Sequence, residues 1–197
     1  TLNTTNVGGN GNSAGGQVFF NINNLTGSPL TITELGMNIS GATMVNVHTR
    51  VGGHVGFETN AGAWTLAGVA DATVGPFSGP FPGNGTITPA IIEFTVQPGI
   101  TGIALTTLSA SSNYTNGNGA NQTYTDGTMT IVAGYTNNAP WTAGFTPRVF
   151  NGYVTYQSFT FDGTPLQTSG LPSGSTFPIG TTTNCFEMTD LAGNVAE

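Results

Sequence analysis

Gln17-Val18-Phe19-Phe20-Asn21-Ile22 is the stretch on which the fold turns. Successive side chains of an extended strand point to opposite faces, so Val18, Phe20 and Ile22 share one side and mark it as core. A glycine- and asparagine-rich run, Asn3 to Gly16, precedes it and is read as loop. The same signature recurs, fenced each time by turn residues, over Leu30 to Ile39, Met44 to Val51, Trp64 to Ala70, Ile91 to Val96, Ile103 to Leu108, Thr128 to Ala133, Val149 to Tyr156 and Ser158 to Asp162. No window has the three-to-four apolar spacing of an amphipathic helix. Short strands at this spacing predict an all-β sandwich or jelly roll.

Alternation names further core residues: Val45, Val47 and Val51; Ile92, Phe94 and Val96; Ile103 and Leu105; Met129 and Ile131. Within Leu30 to Ile39 the apolar parity changes after Ile32, which predicts a β-bulge near Glu34. Gly75-Pro76-Phe77-Ser78-Gly79-Pro80-Phe81-Pro82-Gly83-Asn84-Gly85 cannot continue a sheet and is expected as a surface loop.

The charge balance is unusual, with Lys+Arg 2 against Asp+Glu 9, no lysine, 6% charged residues and a formal charge of -7. Such a chain has no basic patch from which counterion release drives binding to phosphate backbones, so nucleic acid and anionic lipid surfaces are poor partners. A content of 37% hydrophobic residues, with Phe 12 and Tyr 5, argues for a folded core rather than disorder. No apolar run reaches membrane-spanning length, so no membrane insertion is expected. The absence of an initiator Met and of a leader reads as a mature or internal fragment.

The tail has its own character. Leu171-Pro172-Ser173-Gly174 and Phe177-Pro178-Ile179-Gly180 are turn-forming, Thr181 to Met188 is rich in β-branched and aromatic residues, and Asp190-Leu191-Ala192-Gly193-Asn194 reads as a hairpin. From Gly170 to Asn194 the sequence closely resembles the C-terminal half of a hyalin repeat (HYR domain). That resemblance implies an immunoglobulin-like module of an extracellular, adhesive protein, here cut before its last strand. The expected domains are therefore a β-sandwich over 1–162 and a partial HYR-like module over 163–197. The single cysteine, Cys185, reads as a buried small hydrophobe. The HYR resemblance adds the alternative of a cystine whose partner lies outside these residues.

The larger domain resembles β-rich modules of very large surface proteins exported by the bacterial type IX secretion route. The blocks that carry this are Gly56 to Leu66, Asn113 to Gly117 and Phe145 to Gly152. The resemblance implies no catalytic residue.

Glu34, Glu58, Asp71, Glu93, Asp126, Asp162 and Glu187 are scattered, without the paired spacing of acid and base catalysis, so no catalytic residue is assigned and no enzyme is expected. His48 and His54 lie across a Gly-Gly turn, but no third metal ligand accompanies them, which favours packing roles. Asn113 to Gly127 is an oxygen-rich loop whose single carboxylate, Asp126, leaves two alternatives, a structural polar loop or a calcium site completed by carbonyls; the first is favoured because hard cations usually take more carboxylates. No other cofactor is implied. Aromatic residues beside Asn and Asp suit sugar stacking, which makes Trp141, Tyr114 and Tyr124 the candidate ligand-binding residues, whereas Trp64, beginning a strand with Leu66, is expected to cap the core. The expected function is a non-enzymatic structural or adhesive module of a large extracellular surface protein. Its partners would be copies of itself or neighbouring modules. The alternative is a carbohydrate-binding module that takes cell-surface glycans.

Overall fold

The computed structural model describes residues 1–79, 85–158, 165–189 and 195–196. The chain divides into two compact units, Thr1–Ser158 and Phe159–Glu197. The expected boundary at residues 162 and 163 lies outside the described residues, as do the centre of the Pro/Phe loop at 80–84 and the turn at 190–194. Both units are β-structure, and among the described residues no helix is long and apolar enough to cross a membrane.

The first unit holds β1 (Leu2–Asn3), β2 (Asn10–Gly11), β3 (Gln17–Asn24), β4 (Leu30–Met37), β5 (Thr43–Val51), β6 (Thr65–Ala72), β7 (Thr88–Val96), β8 (Gly99–Thr107), β9 (Asn113–Asn116), β10 (Thr123–Thr125), β11 (Met129–Asn137), β12 (Phe145–Phe150) and β13 (Gly152–Ser158). These strands form one antiparallel sheet in the order β1-β13-β4-β7-β6-β5-β8-β3-β11-β12-β9-β2, with β10 paired to β11 beside that path. The sheet folds over into a sandwich that approaches a barrel. β6 and β7 meet at the crease through the single pair Asp71 and Ile91.

The inner faces enclose one core, in which Val18, Phe20, Ile22, Val45, Val47, Ile92, Phe94, Val96, Ile103, Leu105, Met129 and Ile131 are all buried, as alternation required. Val51 is the exception at 84% exposed. The pairing of β5 with β6 ends at Thr49 and Thr65, so Val51 runs past the edge of its cover. The expected bulge is present: Ile32 pairs with Tyr156 and Glu34 with Thr155, consecutive residues of β13, leaving Thr33 as the extra residue. This lets Leu35 and Met37 regain the core side.

The opposite face of β5-β8-β3-β11 carries a second, smaller cluster around the buried Phe19, Ala104 and Trp64. One row across it reads His48, Ala104, Phe19, Tyr135, and the next begins Arg50, Gly102, Asn21. Phe19 is fully buried against Trp64, Tyr135 and Trp141, with ring centroids 5.6, 5.6 and 6.1 Å away. The cover is supplied by two loops. Residues 52–64 lie on the sheet where side chains are missing: a Cβ on Gly102 would stand 2.7 Å from the Gly53 carbonyl carbon, and one on Gly134 would overlap the His54 imidazole. Residues 138–144 are held by Gln17, whose Oε1 accepts the Trp141 N–H at 2.7 Å and whose Nε2 donates to Thr106 at 2.9 Å. Trp141 itself has a positive φ of 60°, rare for a non-glycine residue.

Other expectations are corrected. The run 3–16 contains β2, and Asn113 to Gly127 contains β9 and β10, because backbone pairing with distant strands overrides local turn composition. Val149 to Tyr156 is not one strand: it breaks at Asn151 between β12 and β13. A single 3-10 turn, Ala61–Ala63, precedes Trp64, which is buried while Leu66 is 53% exposed.

In the second unit β14 (Leu166–Ser169), β15 (Cys185–Thr189) and β16 (Val195–Ala196) pair in that order, antiparallel. Residues 181–184 precede the strand expected there, which begins at Cys185. None of residues 165–188 is buried.

Phe19→Ala is expected to lower stability by about 3–5 kcal/mol, as much as Phe20→Ala on the other face, in urea unfolding. A near-neutral Phe19→Ala would contradict the second core. Gly102→Ala should cost about 1–3 kcal/mol by lifting the 52–64 loop, with a shift in tryptophan emission as its reporter.

Candidate ligand-binding site

Trp141, Tyr114 and Tyr124 occupy three different settings. Trp141 is half-buried in the outer cluster, its ring 5.8 Å from Trp64 and 5.2 Å edge-on from His48. Tyr124, on β10, packs its ring against the inner core and donates its hydroxyl to the Asn121 carbonyl at 2.7 Å. Tyr114 is buried on β9, opposite Asn10 of β2 and Phe150 of β12. Together with Asn10, Gly11, Asn138, Phe145 and Arg148 it lines a cavity of about 180 Å³. The Arg148 guanidinium carbon stands 5.6 Å from the ring centres of both Tyr114 and Phe145, in cation–π range. Sequence reasoning found Tyr114 but not its companions. The one available signal was that Arg148 is one of only two cations in the chain.

A larger cavity of about 380 Å³ opens where β5 and β8 end, lined by threonines, aliphatic residues and Arg50. That arginine is already engaged. Its Nη1 donates to the Gly53 carbonyl at 2.6 Å and to the Val51 carbonyl at 3.1 Å, and its guanidinium lies 3.4 Å from the Phe57 ring centre. It clamps the 52–64 loop to the sheet.

The acidic residues serve local structure. Asp126 Oδ1 accepts the Thr128 and Met129 N–H groups at 3.0 and 2.9 Å, and Oδ2 accepts the Tyr156 hydroxyl at 2.7 Å. Burial pushes the Asp126 carboxyl up, and these hydrogen bonds outweigh it to hold the group below the ordinary aspartate range. Asp71 is lowered by the Thr73 hydroxyl and N–H. Glu34 accepts from Tyr153, whose phenol is pushed up to about 12, first by burial and then by that carboxylate. Asp162 lies outside the described residues. Among the described residues no three of His, Cys, Asp or Glu gather into a metal-binding group, and Cys185 is exposed on β15 without a disulfide, not the buried hydrophobe expected.

His48 and His54 do not converge on a shared ligand. His54 is buried and hydrogen-bonds through Nδ1 to Glu58 Oε1 at 2.8 Å, while Glu58 Oε2 accepts the Gly56 N–H at 2.9 Å. An ionised carboxylate only accepts, so His54 carries its proton on Nδ1. Burial lowers the His54 pKa, and Glu58 opposes that in part. Burial also lowers the His48 pKa, and its Nδ1 has no hydrogen-bond partner.

No protein family, curated protein or solved structure matches the chain.

Both histidines have folded-state pKa values below their unfolded value near 6.5, so the unfolded chain binds more protons as pH falls through that value. Stability is therefore expected to be highest above about pH 6.5 and to decline below it. Melting temperature followed from about pH 8 to 5 checks this, and a His48→Gln/His54→Gln variant should flatten the curve.

Proposed function

We propose that this chain is a non-enzymatic structural or adhesive module of a large extracellular surface protein. The observation that carries this reading is the uncovered apolar surface of the second unit. Leu166, Phe177, Ile179, Phe186 and Val195 are 67, 54, 108, 51 and 55% exposed, and none of the unit's residues 165–188 is buried. A β-unit in that condition needs a partner surface or strand, and unsatisfied apolar faces and strand edges are how β-modules join end to end or copy to copy. The first unit supports the same role: apart from Arg50, its covering loops are fastened to the sheet by neutral amides such as Asn21 and Gln17, which suits a rigid spacer of low charge.

A second reading, glycan binding, is favoured by the Tyr114 cavity. Aromatic faces beside asparagine amides suit a sugar, whose apolar face stacks while its hydroxyls take hydrogen bonds.

Light scattering and negative-stain microscopy of the whole chain test the structural reading. Concentration-dependent ordered multimers are expected, with Ile179→Asp/Phe186→Ser reducing them to monomers. A chain that stays monomeric at every concentration, with the variant indistinguishable from it, would overturn the assembly role.

A further inference from the structure

We propose that the Arg148 cavity binds the carboxylate of an acidic sugar, a uronate-type residue within an otherwise neutral glycan; this rests on the glycan-binding reading above. The cavity is rich in unanswered donors. Arg148 donates Nη1 to the Pro147 carbonyl at 2.8 Å, its Nη2 makes no hydrogen bond among the described residues, and its Nε is closed to solvent without a partner. The Tyr114 hydroxyl makes no hydrogen bond among the described residues. Asn138 accepts the Ser13 N–H at 3.2 Å through Oδ1, which leaves its NH₂ free to donate. Asn10, by contrast, is occupied on both sides, accepting from its neighbour Gly11 and donating to Asn116 at 3.3 Å.

Among the described residues no carboxylate pairs with this cation. The ion pair found among the described residues is His54 with Glu58, far along the chain, although acids outnumber basic residues 9 to 2. The contrast with Arg50 is instructive, because that guanidinium is consumed by two carbonyls and a ring face. A half-buried cation with spare donors and no counter-ion is the chemistry that recognises an anion, and the planar guanidinium fork matches a carboxylate. The exposed ring of Phe145 supplies an apolar face beside the buried Tyr114, and the volume of about 180 Å³, below the roughly 300–1,000 Å³ of drug-sized pockets, suits one sugar ring. The formal charge of -7 repels polyanions at long range, so an isolated carboxylate at this one cation is the ligand.

Calorimetric titration of the full chain with a trisaccharide ending in glucuronate, and with the same trisaccharide ending in glucose, decides the matter. The glucuronate form should bind at least about tenfold tighter, and Arg148→Gln should erase the difference. Equal binding of the two sugars, unaffected by Arg148→Gln, overturns the carboxylate site while glycan binding stands; binding of neither overturns both. Competition by acetate, inorganic phosphate or a peptide C-terminus at the same concentration as the glucuronate sugar overturns the assignment to a sugar. Should Arg148→Gln fail to fold, Tyr114→Phe removes a single hydroxyl, and unchanged glucuronate affinity in that variant overturns the site.

Discussion

Phe19 and Phe20 are neighbours in the chain, point to opposite faces of β3, and are both closed to solvent. Most of the first unit can be understood from that constraint. Phe20 belongs to the interior that any sandwich must have, stacked 4.7 Å from Phe150. Phe19 places a large apolar group on the face that water would otherwise wet, so that face needs a cover. The chain supplies it from two loops, and everything that lets them seat follows: glycines at 102 and 134 where the 52–64 loop and His54 come down, Arg50 gripping Phe57, Asn21 accepting the His54 N–H at 2.9 Å, and Gln17 fixing the Trp141 backbone. Edge-on aromatic pairs in the cluster add about 0.5–1.5 kcal/mol each beyond burial.

The groups that fasten these loops are mostly neutral, and the charge-poor composition makes sense in that light. Burying an amide with its partners in place is inexpensive, whereas an ion is costly to desolvate. One end of the sandwich shows the same preference: Asn113 donates to Asn38 at 2.9 Å, Asn38 donates to Asn6 at 2.7 Å, and Thr115 donates to Asn151 at 2.8 Å. Asparagine and threonine here are structural joints, not merely solubilising surface. Against that background Arg148, whose buried Nε has no partner among the described residues, differs from Arg50, which is held by two carbonyls and a ring face.

Much of the fold was legible because period-two alternation is a local property. Val18, Phe20 and Ile22, or Ile92, Phe94 and Val96, reveal their common face without knowledge of a partner strand, and a change of parity marked the bulge at Thr33. Short polar strands were not legible. Asn10–Gly11 and Asn113–Asn116 have turn-like compositions and become strands only because β9 lies against β12 and β2 adds to β9. The candidate site was half visible for a similar reason. Tyr114 stood out as an aromatic among asparagines, but Asn10, Asn138 and Arg148 are remote from it in sequence and reach the cavity only through strand register.

By itself the sequence determined the all-β class, the inner core and the scarcity of charge, since each follows from side-chain type and spacing along one strand. Only the tertiary structure decided that the outer face of β3 is a second core, that Trp141 packs with Trp64 and His48 rather than standing free, and that Arg148 shares a cavity with Tyr114. Those outcomes depend on which strands pair and where loops descend. Such contacts join residues remote in the chain, Gln17 with Asn137 and Leu2 with Val154 among them, and no local period encodes them.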